Sequence, residues 1–70
     1  MFNIRLKELR KSHNATQKQV SIAIGLSEKN YQDFEYGKIK PSYNTIVKLC
    51  EYFDISADYL LGLSDIKERK

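Results

Sequence analysis

His13 and Cys50 are the single histidine and single cysteine of this 70-residue chain, and they narrow its possible chemistry at once. A structural zinc site draws four ligands mainly from Cys and His, and a Cys-His nucleophile needs both partners side by side. One of each, in different halves of the chain, supports neither. No catalytic residue, metal or cofactor is therefore expected, and the chain does not read as an enzyme. Cys50 has no internal disulfide partner, so stability must come from packing. Gly25, Gly37 and Gly62 stand singly and far apart, which excludes a glycine-rich loop wrapped around phosphates. What remains is cationic. Twelve Lys and Arg against nine Asp and Glu give a net charge of +3. The charge is uneven, with four basic residues and one acidic in residues 1–12, but one basic and three acidic in residues 42–60. A basic half beside an acidic one fits an anionic partner, nucleic acid foremost, although a solvated charged surface has the same composition.

The elements that position these cations read as short helices separated by clear punctuation. Ile4, Leu6 and Leu9 predict a first helix over Phe2 to Ser12, with Asn14 as its stop. Thr16 to Gln19 spells T-x-x-Q, a capping box that opens a second helix carrying Val20, Ala23 and Ile24 on one face and ending at Gly25. Ser27 caps a third helix from Glu28 to about Tyr36. Tyr31, Phe34 and Glu35 share one side of it, and Glu28, Lys29, Gln32 and Asp33 the other. Gly37 ends that helix and Lys38 to Pro41 forms a basic loop. Ser42 opens a fourth helix, made amphipathic by Ile46, Val47, Leu49, Cys50 and Phe53. Ser56 caps a short fifth helix holding Tyr59, Leu60 and Leu61, closed by Gly62.

With 41% apolar and 30% charged residues, the chain is ordinary for a globular domain. Its length allows one small core, taken as a single domain over 1–66 with a frayed tail at 67–70. No run alternates long enough for a strand, so the fold class is all-α, a compact five-helix bundle. No apolar stretch is long enough to span a bilayer, and charges interrupt the N-terminus where a signal peptide would need an apolar run. No membrane partner is expected, and the expected location is the cytoplasm.

Two helices joined by a tight Gly turn, with one helix before and two after, bring the sequence close to a known pattern. From about Ile4 to Gly62 it resembles the phage repressor and Cro-like helix-turn-helix family, also called the XRE family. The resemblance is carried by Thr16-Gln17, Gly25-Leu26-Ser27, Phe34-Glu35-Tyr36-Gly37-Lys38, Pro41-Ser42 and the run Ile55-Ser56-Ala57-Asp58-Tyr59-Leu60-Leu61-Gly62. It implies a lambda-repressor-like fold in which residues 17–36 read double-stranded DNA and helix 28–36 lies in the major groove. The residues able to reach base edges are Glu28, Lys29, Asn30, Gln32 and Asp33. Lys29 suits guanine O6 and N7, Asn30 and Gln32 suit adenine, and Glu28 or Asp33 can accept from cytosine N4. Acidic residues on a reading face depart from the family pattern. Glu28 also suits the positive end of its helix, and Asp33 can pair with Lys29 four residues earlier.

Phosphate contacts are expected from Gln17 and the backbone at the start of helix two, from Ser27, and from Lys38, Lys40 and Asn44. Lys7, Lys11 and Lys18 read as solvated. The resemblance further implies that Arg10 and Glu35 form a buried ion pair bracing the reading unit. Tyr59, Leu60, Leu61 and Leu63 offer more apolar surface than a chain of this size can bury, which predicts a two-fold homodimer. The expected function is a transcriptional regulator, most simply a repressor, holding a palindromic operator. An antitoxin with a protein (toxin) partner is an alternative, as is a helical protein-interaction module, which Glu28 and Asp33 favour.

Overall fold

Four side-chain oxygens decide where most of the helices begin. In a computed structural model that describes residues 1–68, the order is α1 (Phe2–Ser12), α2 (Gln17–Ala23), α3 (Glu28–Glu35), α4 (Tyr43–Phe53) and α5 (Ala57–Leu60). Thr16, Ser27, Ser42 and Ser56 each accept a hydrogen bond from the backbone N–H three residues on, satisfying a donor that a helix start leaves bare. Before α2 the capping box is closed on both sides. Gln19 N donates to Thr16 Oγ1 at 3.0 Å, and Thr16 N donates to Gln19 Oε1 at 2.8 Å. Among the described residues there is no strand.

The turn between α2 and α3 depends on one conformation. Gly25 sits at φ +75°, where a side chain is strained, and a Cβ there would meet only the tip of Lys48 at 3.9 Å. Space is not the constraint; the left-handed backbone is. It lets Leu26 N donate to Ser21 O at 2.9 Å and redirects the chain into α3. Asn14 and Asp54, both at φ 54°, make the same kind of exit from α1 and α4, as expected at Asn14.

Leu6, Leu9, Val20, Ile24, Tyr31, Phe34, Leu49, Cys50, Phe53, Ile55 and Leu60 form the core. Through it α3 packs on α1 and α2, and α5 packs on α1 and α4. α1 therefore links the α2–α3 pair to α5, which packs on α4.

Several expectations need correction. Ile4 is exposed, and Arg5 is buried in its place. The inward stripe of α1 is Phe2, Leu6 and Leu9, spaced i, i+4, i+7, which turns Ile4 outward. Arg5 earns its burial by partners: its guanidinium donates to Tyr59 O at 2.6 Å, to Ser64 O, and to Asp65 at 2.8 Å, and lies 4.2 Å over the Tyr59 ring. Ala23 of α2 is exposed, while Ser21 is buried with its hydroxyl bonded to Lys18 O at 2.8 Å. Leu60 is wholly buried in the core, so it has no surface to offer a second copy, and Leu61 caps α5 from just outside it. The backbone of Lys67, in the expected tail, meets the start of α5. Ser56 N donates to Lys67 O at 2.8 Å and Ser56 Oγ donates to Ile66 O at 2.9 Å, folding this segment back on the start of α5. The rest of the expected tail, residues 69–70, lies outside the described residues.

Candidate nucleic-acid interface

The amphipathic spacing of α3 puts Tyr31, Phe34 and Glu35 into the interior and leaves its opposite side to solvent. Glu28, Lys29 and Asn30 are exposed in the first turn, with Gln32 and Asp33 half-buried behind them. Ser27 is exposed just before the helix, its oxygen accepting from Asn30 N at 3.2 Å. Lys38 and Lys40 are exposed on the following loop, and Asn44 is exposed in the first turn of α4. Lys38 is positioned locally, with its backbone N bonded to Asp33 O at 2.9 Å and its ammonium 5.9 Å from the Tyr36 ring. On the outer face Lys29 Nζ meets Asp33 at 3.0 Å.

A buried polar knot holds this face to the rest of the molecule. Arg10 donates through Nε to Glu35 Oε2 at 2.6 Å, through Nη2 to Oε1 at 3.2 Å, and through Nη1 to Ala15 O at 3.1 Å. Gln17 Nε2 adds a third bond to the carboxylate, 3.2 Å to Glu35 Oε1. Glu35 thus joins α1, α2 and α3 through one carboxylate, with 1% of its side chain exposed. The sequence alone does not reveal the Gln17 link. A Gln at the first position of a capped helix signals only a free polar side chain, and its inward turn depends on where α3 brings Glu35.

Burial pushes the Glu35 carboxyl up, but the hydrogen bonds from Arg10 and Gln17, the charge of Arg10 and the nearby Tyr31 hydroxyl outweigh it and hold it below the ordinary carboxylate value. The bond to Glu35 raises Arg10 in turn. Tyr31 is raised, first by burial and then by the nearby carboxylate. Its hydroxyl is buried and makes no hydrogen bond of ordinary geometry among the described residues.

A carboxyl with a lowered folded-state pKa contributes stability that is fully present above its unfolded value and is lost as the pH falls through the folded one. Thermal melting followed by circular dichroism should therefore be flat near neutral pH and decline as the pH drops below about 4.5, the ordinary value. In Glu35→Gln the midpoint should be lower at neutral pH, with a shallower acid decline. An identical acid slope in the two proteins would show that other carboxylates control it.

Residues 3–66 match the family model of a helix-turn-helix domain. Over all 70 residues the chain is 37% identical to the uncharacterized HTH-type transcriptional regulator YobD of Bacillus subtilis, covering 62% of that protein. It is 38% identical over 58 residues to the cryptic phage CTXphi transcriptional repressor RstR of Vibrio cholerae, covering 83% of this chain and 52% of that one. The chain thus spans little more than half the length of these relatives. In three dimensions it is similar to the P22 c2 repressor protein solved in complex with synthetic operator 9T. That likeness has a TM-score of 0.86 over 91% of this chain and 97% of the other, and at 22% identity it concerns the fold alone.

Proposed function

This chain belongs to the helix-turn-helix domain family, and from that membership we propose that it is a sequence-specific regulator that grips an operator in double-stranded DNA. The observation that carries the reading is the outer face of α3. Its first turn presents Glu28, Lys29 and Asn30 to solvent, on a single helix of the size a major groove about 12 Å wide admits. Gln32 and Asp33 extend that face by one turn. Lys38, Lys40, Asn44 and Ser27 flank it and contact phosphates, which fixes the position of α3 without specifying sequence. Gln17 joins them through the amide hydrogen that Glu35 does not use.

The protein acts as a homodimer on a palindromic operator, with half-sites roughly 34 Å apart. Leu61 and Leu63, 38% and 75% exposed, support a contact between copies, with half-buried Tyr59 beside them. Leu60 has no part in it. Repression by occupying a promoter is the simplest mode of action, since it needs no surface beyond the DNA face.

Phosphate and base contacts separate by their response to salt. Lys38→Ala should weaken binding to all duplexes alike and reduce the slope of log K against log salt by about one. Titration of labelled duplex from about 50 to 200 mM salt measures this. A sequence-dependent loss with an unchanged slope would remove Lys38 from the phosphate contacts. Sedimentation with and without duplex tests the dimer, and a monomer in both conditions would end that part of the reading.

A further inference from the structure

The ion pair on the outer face of α3 is poorly explained by helix stability. Lys29 Nζ lies 3.0 and 3.1 Å from the two oxygens of Asp33, with Lys29 73% and Asp33 15% exposed. A cation four residues N-terminal to an anion is the less favourable order along a helix, and a pair whose ammonium stands largely in solvent adds little to stability. Their geometry suits another task. A donor and an acceptor held 3.0 Å apart have nearly the spacing of the hydrogen-bonded groups within a base pair, roughly 2.9 Å.

In the major groove a G·C pair sets guanine N7 and O6, both acceptors, beside cytosine N4, which keeps one hydrogen free to donate. We infer that Lys29 and Asp33 read one G·C pair as a unit, the ammonium on guanine O6 and N7 and the carboxylate on cytosine N4. The inference rests on the reading above, in which α3 enters the groove. Each competing pair fails for a stated reason. Reversed to C·G, the ammonium faces a donor and the carboxylate faces an acceptor. T·A keeps the acceptor and donor order, but the ammonium meets the thymine methyl in place of N7 and the carboxylate meets adenine N7. A·T puts the ammonium against N6 and the carboxylate against O4.

The pair carries no net charge, so it adds discrimination and little attraction to phosphate. Asp33 is recessed and meets only a donor that the groove brings to it. Removing its charge frees the Lys29 ammonium for any phosphate within reach. Asp33→Asn should therefore bind arbitrary duplexes several-fold more tightly, with a salt slope steeper by about one.

The test is selection from random duplexes by the wild type, Lys29→Ala, Asp33→Asn and the double variant, each shown to be folded by its melting curve. The wild type should enrich a site containing one G·C pair preferred roughly tenfold, within the range of a single bidentate contact. Both single variants should relax that same pair, and the double variant should relax it no further. Relaxation of two different pairs, relaxation of a pair other than G·C, or an unchanged site in both variants would overturn the inference while leaving the groove reading intact. A folded wild type that enriches no site would overturn both.

Discussion

Arg10→Ala is expected to lower stability by about 3 to 5 kcal/mol, because it strands a buried carboxylate whose main partner is gone. Glu35 has 1% of its side chain exposed, so its charge is shielded from solvent chiefly by the groups packed against it. Gln17 can return one hydrogen bond at 3.2 Å but no charge. In a domain of this size each kcal/mol moves the melting temperature by about 4 to 8 °C, so the midpoint should fall by roughly 12 °C or more. The loss is a measure of a broken pair, not of the pair's net worth. Replacing both members at once, as Arg10→Met with Glu35→Leu, should recover much of the stability. Thermal melting of the single and double variants checks this, and equal destabilisation in the two would show that the ion pair is more than an expensive buried charge.

Phe34→Ala should cost a comparable amount, about 3 to 5 kcal/mol, by a different route. Phe34 is 4% exposed on the inner side of α3 and meets the Phe2 ring edge to face at 6.4 Å. Truncating it removes apolar contact and leaves a void under the helix proposed to enter the groove. Urea unfolding should show a lower midpoint with an unchanged slope, the mark of lost packing in an intact two-state fold. A loss under about 1 kcal/mol would mean that the core collapses around the gap with little strain.

The parts of the fold that were legible in the sequence are those governed by local chemistry. A hydroxyl at a helix start satisfies a backbone donor two or three residues on, so Thr16, Ser27, Ser42 and Ser56 mark their helices without reference to anything distant. Gly25 marks the turn for the same reason. Where tertiary contacts decide, the sequence is silent. Periodicity alone assigns Ile4 inward and treats Arg5 as surface; only the carbonyls of Tyr59 and Ser64 and the Asp65 carboxylate, far along the chain, make its burial tolerable. The apolar run at residues 59–63 exceeds what a core of this size can use, and the sequence does not show that the core takes Leu60. Nothing local reveals that the Ser56 amide meets the Lys67 carbonyl.

For the interface, residue types indicate which groups can reach a base, and spacing indicates which side of α3 they share. Neither reveals the inward turn of Gln17 toward Glu35, a bond between residues of different helices.

The central claim is that α3 reads DNA, and selection from random duplexes by the purified protein at about 150 mM salt, near physiological ionic strength, tests it most directly. The account predicts an enriched inverted repeat with half-sites about one helical turn apart. A folded, helical protein that enriches nothing would contradict it and turn the outer face of α3 toward a protein partner.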